Sequence, residues 1–405
     1  MTHLHLESIG PINIVDIDLR RYNVFIGPQS SGKSTIAKMI SLCSWIEKRA
    51  LTTLSENVFN DSQEFLDHVE VYHKMHDYFN QSSVIEYKSE NIHISFAKKE
   101  LTVKLLTKTT YKRKKILYIP SDRNLVAMHR LDRLVIETNT NLRSFMFDWF
   151  DARGFYDNSH HLNILDLNME YYFDKDAKKV SQDRIIHTNG KTYDIALSDA
   201  SSGLQSVTPL TLLLNYYSNQ YFTDYDKTTS YKKDEEMKML EEKIALMYPV
   251  LDNNKEKGFI NALERRSLYA KLTTPHSTNF IIEEPEQNLF PSTQAQLITY
   301  LLNICNNHLE HSFTLTTHSP YILTQLNILL FAGLLRKKGK AKQVLETLDP
   351  TMEIAPKELN VCSVQEDGTI IDIIDAETNM ISQNYLDSVS EELSIKFQQL
   401  YRLLF

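Results

Sequence analysis

The chain has 405 residues, 42% hydrophobic and 24% charged, with a formal net charge of −8. That is ordinary globular composition, with enough chain for a large core or two lobes. The negative balance excludes attraction of nucleic acid by bulk charge, and leaves only a local basic face as a route to it.

The opening MTHLHLESIG lacks a basic n-region and an apolar h-region, so no secretory signal is read. Leu4 and Leu6 in HLHLES, and Val15, Ile17 and Leu19 in VDIDL, alternate at period two. This predicts two strands joined at Gly10-Pro11. YNVFIG is a short apolar run, a buried strand ending at Gly27, and Ile36, Met39, Ile40 and Cys43 then recur at helical spacing. Residues 46–115 read as an insertion. It is first helical and aromatic (Phe59, Phe65, Tyr72, Tyr78, Phe79), then a hairpin in NIHISFAKKELTVKLL. KILYIPSDRN predicts an apolar strand running into a polar turn. Residues 126–165 read as mixed and helical, and residues 169–197 as strands, with a tight turn at Asn189-Gly190.

A helix carrying Leu210, Leu212, Leu213 and Leu214 is expected next. Residues 226–272 are charged and helical around DEEMKMLEEKIALMY, a short arm broken at Pro249 and too short for a long coiled coil. NFIIEEPE is a strand ending in acids, and SFTLTTHSP a strand ending at a histidine. The apolar stretch from Leu326 to Leu335 is too short to span a bilayer and is interrupted by Asn327. SVQEDGTIIDIID predicts a final hairpin with Asp367-Gly368 in its turn, and a terminal helix closes the chain. Cys43, Cys305 and Cys362 are odd in number and far apart, which excludes a disulfide framework and a CxxC knuckle. A reducing, cytoplasmic setting without membrane contact is expected. No internal repeat or low-complexity tract is seen.

Four motifs carry chemistry. GPQSSGKST fits G-x-x-x-x-G-K-[ST], with a strand before it and a helix after it. Its residues Gly27, Pro28, Gln29, Ser30, Ser31, Gly32, Lys33, Ser34 and Thr35 form a candidate phosphate cradle. The glycines let backbone N–H groups turn inward, and the following helix adds its positive end. Lys33 can reach the β- and γ-phosphates, and the Ser34 hydroxyl can sit on Mg²⁺. ATP and Mg²⁺ are therefore the expected cofactors; the alternative is a Gly-rich surface turn. In FIIEEPEQNLFP a buried strand aims Glu283 at Mg²⁺ or its water, and Glu284 at the attacking water. The alternative is two solvated acids at a loop start. In LTTHSP, His318 can contact a γ-phosphate, or be a structural or merely exposed histidine. It follows the acidic strand by one crossover helix, Pro291 to Asn307, which places it on a neighbouring parallel strand. In DASSGLQS, Ser201, Ser202 and Gly203 precede a helical run and make a small anion site, or a plain serine cap.

Phosphate loop, SSGLQ, EEPE and THSP, in this order, resemble the ABC-type ATPase head, in particular the SMC, RecF and OLD-nuclease branch and related bacterial defence ATPases. The motifs run from Gly27 to His318, and the ending EDGTIIDIIDAETNMISQNYLDSVS resembles the closing strands and helix of small standalone members. The resemblance implies an α/β P-loop NTPase fold with a mixed sheet, N-terminal antiparallel strands and helical insertions at 46–115 and 226–272, one head over residues 1–405. It implies dimerisation around two ATPs, with Gly27 to Thr35 on phosphates, Glu283 on Mg²⁺, Glu284 as general base and His318 as switch histidine. Ser202, Gly203 and Gln205 then reach across to the partner subunit's γ-phosphate.

Two departures stand out. Leu204 replaces the second glycine of the family signature, which puts the cross-subunit contact in question. Glu283 stands where transporter ATPases usually carry Asp; OLD-like ATPases often carry Glu there, which the resemblance to that branch implies here. YIPSDRN resembles a YIPAERN-like segment of the defence ATPases; there Arg123 senses nucleotide or joins the lobes, unless it is an ordinary strand-end arginine. No residue is assigned to adenine.

What is missing narrows the reading. A transporter's membrane segments and SMC-length arms are not found. A Toprim nuclease needs a Glu and a D-x-D cluster, and the tail offers Glu366, Asp367, Asp372 and Asp375 without D-x-D, so no separate nuclease domain is expected. His160-His161 in DNSHH has no surrounding Cys/His set and reads as a solvated loop. YKRKK, residues 111–115, touches a nucleic-acid backbone or is a solvated strand edge, the second being preferred. The expectation is an ATPase that forms a homodimer or higher oligomer and regulates a separately encoded effector, a nuclease, in antiphage defence of the PARIS or Septu kind. Two others stay open: a RecF-like repair ATPase that binds DNA directly, and a nucleotide-locked scaffold with little turnover.

Overall fold

The computed structural model describes residues 2–106, 111–128, 139–176, 182–189, 193–224, 240–246, 255–307, 310–346, 348, 352–382 and 385–402. Strands β1 (Thr2–Ile9) and β2 (Ile12–Leu19) pair antiparallel, with Leu4 opposite Ile17 and Leu6 opposite Val15. This register buries the alternating apolar set and turns Asp16 and Asp18 outward. The turn at Gly10 and Pro11 is where the sequence places it.

Strand β3 (Tyr22–Ile26) is buried at every residue and leads through the Gly27 loop into helix α1 (Lys33–Thr53). After α2 (Ser62–Tyr72) come β4 (Phe79–Lys88), β5 (Ile92–Ala97) and β6 (Glu100–Leu105). These three strands extend the N-terminal sheet in the order β2-β1-β4-β5-β6. The segment read as an insertion thus begins within α1, and its strands complete a sheet that opens the chain.

The central sheet has the order β15-β14-β3-β13-β12-β7. Its members are β7 (Lys114–Ile119), β12 (Ser277–Glu283), β13 (Ser312–Thr317), β14 (Leu359–Val364) and the short β15 (Ile370–Asp372), beside β3. All pairings from β14 to β7 are parallel, and β15 is an antiparallel edge. Phe25, Ile281, Tyr118 and Cys362 pack towards α1 and the N-terminal sheet. Val24, Ile26, Phe280, Ile282, Leu117 and Ile119 pack the other way, with α3 (Asn141–Arg153), α4 (Ser202–Asn215), α6 (Pro291–Asn307) and α7 (Pro320–Lys337). A sheet covered on both faces needs apolar residues at successive positions, which is why β3, β12 and β13 read as continuous runs.

Between α3 and α4, β8 (Leu162–Asn163), β9 (Met169–Phe173), β10 (Asp183–His187) and β11 (Asp194–Ala196) form a small antiparallel sheet. Gly190, half of the expected hairpin turn, lies outside the described residues, as do residues 225–239 and 247–254 of the expected arm. The arm's second part is helix α5 (Lys255–Thr273). The chain closes with the β14–β15 hairpin, Gly368 in its turn at φ 77°, and helix α8 (Tyr385–Tyr401). Among the described residues no helix is long and apolar enough to cross a membrane. The fold is α/β: a phosphate-loop strand in a mixed sheet, with antiparallel strands at the N-terminus, the class expected from the sequence.

Candidate active site

Five parallel strands deliver their C-terminal ends to one edge, the usual place for a ligand in a parallel α/β sheet. The phosphate loop leaves β3, Glu283 ends β12, and His318 follows β13, which is the parallel neighbour of both strands. The crossover helix α6 made that adjacency readable in the sequence.

The loop is held by its own carbonyls. Lys33 Nζ donates to Gly27 O at 3.0 Å and Pro28 O at 2.5 Å, and Ser31 Oγ donates to Pro28 O at 2.9 Å. The lysine is buried, which pushes its pKa down to about 8, while Glu284 and Glu286 pull it back up. Gly32, in the left-handed region at φ 108°, precedes helix α1 and offers no side-chain cap, so the first N–H groups of the helix are not capped from within. Gly27 has to be glycine: a Cβ there would lie 2.3 Å from the carbonyl oxygen of Val364. Gln29 and Ser30 are exposed, Ser34 is half-buried and Thr35 buried. A buried cation satisfied only by loop carbonyls, beside an uncapped helix N-terminus, suits an anionic ligand.

Glu283 is buried, with Oε1 accepting from Tyr118 Oη at 2.5 Å and Oε2 from the Ser121 N–H at 3.3 Å. Lys38, one turn along α1 from Ser34, shares its field: burial lowers the Lys38 pKa, and Glu283 opposes that. Sequence reasoning missed both Tyr118 and Lys38. Glu284 adopts φ 43°, a left-handed conformation uncommon for a residue with a side chain. Its N–H donates to Thr316 O at 2.9 Å, and its Oε1 lies 3.7 Å from His318 Nε2. The His318 pKa is lowered, first by burial and then by Lys33, against the pull of Glu284. The imidazole is therefore neutral at neutral pH.

Arg123 follows the end of β7. It lies in a 3₁₀ turn (Ser121–Ala127) and is 0% exposed. Its donors reach five carbonyls: Nε to Ser206, Nη1 to Pro120 and Glu283, Nη2 to Glu284 and Pro285. Every nitrogen of its fork thus donates to main-chain carbonyls. The guanidinium ties α4 to the acidic turn.

In the SSGLQ stretch, Ser201 caps α4 by accepting from the Leu204 N–H, and Ser202 is exposed. Gly203 sits where a Cβ would be 3.0 Å from the Asn288 carbonyl oxygen of the EEPEQN turn. Gln205 folds back, Nε2 donating to Ser198 O at 2.9 Å and Ala200 O at 3.0 Å. It lines a cavity of about 840 Å³ with Asp122, Asn124, Met128 and Asp199. In this single chain, Gln205 is held to its own loop.

Among the described residues, no group of three His, Cys, Asp or Glu side chains could cage a metal. A Mg²⁺ ion takes one or two carboxylates and completes its shell with phosphate oxygens and water, and Ser34 and Glu283 are the residues that would be asked to meet it.

No family model and no curated protein matches the sequence. Solved structures do. The SMC head domain from Thermotoga maritima is similar at 12% identity over 80% of this chain and 90% of that one, with a TM-score of 0.34. The SMC head bound to the C-terminal winged-helix domain of ScpA is 10% identical over 93% and 99%, with a TM-score of 0.39. An ATP-binding cassette of an ABC transporter in its ADP conformation is 12% identical over 92% and 90%, with a TM-score of 0.32.

Proposed function

We propose that this chain binds and hydrolyses ATP as an ABC-type head, closes as a homodimer on ATP, and controls a separately encoded effector in the cytoplasm. One observation carries the catalytic part: a buried lysine in an uncapped strand–loop–helix turn faces two strand ends that bear Glu284 and His318 within 3.7 Å of each other.

The backbone of Gly27 to Thr35 and the start of α1 receive the phosphates, and Lys33 exchanges the Gly27 and Pro28 carbonyls for phosphate oxygens. Ser34 and Glu283 would hold Mg²⁺, which would supply charge neutralisation on the phosphates. Tyr118 and Ser121 fix the Glu283 carboxylate. Glu284, partly exposed and rigidly seated, orients the water and takes its proton; neutral His318 sets the position of that carboxylate. Ser202, exposed at the N-terminus of α4, is the signature residue presented to a second copy. Control of an effector nuclease in antiphage defence, of the PARIS or Septu kind, rests on the order of the sequence motifs alone.

Two variants test the catalytic reading. Lys33→Ala should abolish ATP binding in a direct titration, and retained affinity overturns the phosphate-loop assignment. Glu284→Gln should accumulate an ATP-bound dimer by light scattering, and an unchanged mass with ATP overturns the dimer or the base. A stoichiometric nuclease or other toxic protein co-purifying with tagged Glu284→Gln from the native host supports the effector; DNA with repair proteins overturns it.

A further inference from the structure

The acidic turn carries a third carboxyl with no part in the scheme above. Glu286 is tucked into the protein beside His318: its Oε1 accepts the His318 N–H at 2.6 Å. Its Oε2 is buried and has no hydrogen-bond partner. Lys33 and Arg123 feel its charge. The contact is unusual in direction. It runs from the turn after β12 to the residue that leaves β13, so it joins the two strand ends that carry Glu284 and His318, and it supplements the Glu284 N–H bond to Thr316 O.

We infer that Glu286 is a positioning residue for hydrolysis: by holding the His318 backbone, it sets the imidazole against Glu284. The inference rests on the ATPase reading and deepens it. Two facts favour a positioning role over plain packing. His318 begins the turn into α7, where Ser319 already caps the helix by accepting from Tyr321 and Ile322 N–H, so the helix start does not need Glu286. And the contact crosses from the turn after one strand to the end of its neighbour, rather than closing a turn within its own element. Glutamine keeps a carbonyl oxygen at the reach of Oε1 and so preserves the acceptor for the His318 N–H.

The test is a cycle of variants in the full chain, with turnover read by phosphate release and ATP affinity by direct titration. Glu286→Gln keeps the acceptor at the same reach and should hold kcat within about threefold of the unaltered chain. Glu286→Asp, one methylene shorter, and Glu286→Ala should lower kcat by about 10- to 100-fold, since misplacing a catalytic group by about 1 Å can cost about 100-fold, with ATP affinity changed by less than about twofold. In a His318→Ala background the Glu286→Ala loss should vanish, because both substitutions remove one element. Losses that multiply, or a Gln variant as slow as the Asp variant, overturn the inference and leave the ATPase reading intact. No turnover in the unaltered chain, or turnover that survives Lys33→Ala, overturns the ATPase reading and this inference with it.

Discussion

Arg123→Met is the sharpest perturbation the structure offers. Methionine keeps most of the buried volume and removes every donor. Five carbonyls lose a charged partner: Pro120, Ser206, Glu283, Glu284 and Pro285. A hydrogen bond to a charged group contributes about 1.5–3 kcal/mol, but the contacts share one cation and cannot simply be added. Leaving a buried acceptor without its donor costs about 1–3 kcal/mol, and with several carbonyls stranded at once a loss of about 3–5 kcal/mol is expected here. Set against about 5–15 kcal/mol for an ordinary domain, that is a large fraction. Urea unfolding of the two proteins, followed by fluorescence, should show a lower midpoint with an unchanged slope. Arg123→Lys keeps the charge without the fork and should recover only part of the loss. Turnover should fall more than ATP affinity, since Arg123 grips the carbonyl of Glu284 while Lys33 lies in another element. A loss below about 1 kcal/mol would refute the reasoning, because the carbonyls would then be as well served by water.

Affinity for ATP should weaken as pH rises through about 8, where Lys33 loses its proton in the free chain. Titrations at pH 7 and pH 9 should differ by about tenfold, and a flat profile would exclude a depressed lysine. His73 gives the opposite slope in stability. It is buried with Nδ1 unpaired, and burial lowers its pKa to about 3 from 6.5. Between those values the unfolded chain binds the extra proton, so stability is full above pH 6.5 and is lost as pH falls towards 3. At pH 5 the loss should be about 2 kcal/mol, and His73→Leu should flatten that part of the curve. Gly27→Ala should cut ATP affinity at least about tenfold at little cost in fold stability, because its Cβ meets the Val364 carbonyl and displaces the loop. Unchanged binding by isothermal calorimetry would show that β14 yields instead.

The parts legible in the sequence are those fixed by local pattern or by one crossover. Gly27 to Thr35 declares itself because strand, loop and helix are contiguous, and the glycines answer to contacts a side chain would break. Glu283 and His318 could be set side by side because the helix between them, Pro291–Asn307, has the length of a parallel crossover. The segment 46–115 is the opposite case, since its place in the N-terminal sheet is not legible. Its β4 pairs with β1, with His5 opposite Glu86, across some eighty residues of chain, and nothing local marks that partnership. Tyr118 and Lys38 were missed likewise. An aromatic in a buried strand and a lysine on a helix read as core and surface until the fold points both at Glu283.

Arg123 shows how the hidden part of the site bears on the visible part. Its guanidinium grips Ser206 O, one turn into α4 beyond Ser202 and Gly203, and with the same fork the carbonyls of Glu283, Glu284 and Pro285. Glu284 is held at φ 43°, a conformation costing on the order of 1–2 kcal/mol for a residue with a Cβ. Such a conformation persists only if its neighbours over-determine it, and here they are Thr316 on one side and Arg123 on the other. A rigid planar fork cannot follow α4 and stay on the acidic turn at once. Any contact that draws the start of α4 away from Asn288 therefore strains the one cation that keeps Glu284 in place. The first turn of α4 and the carboxylate at the strand end are, in this fold, one mechanical unit with a buried arginine as its joint.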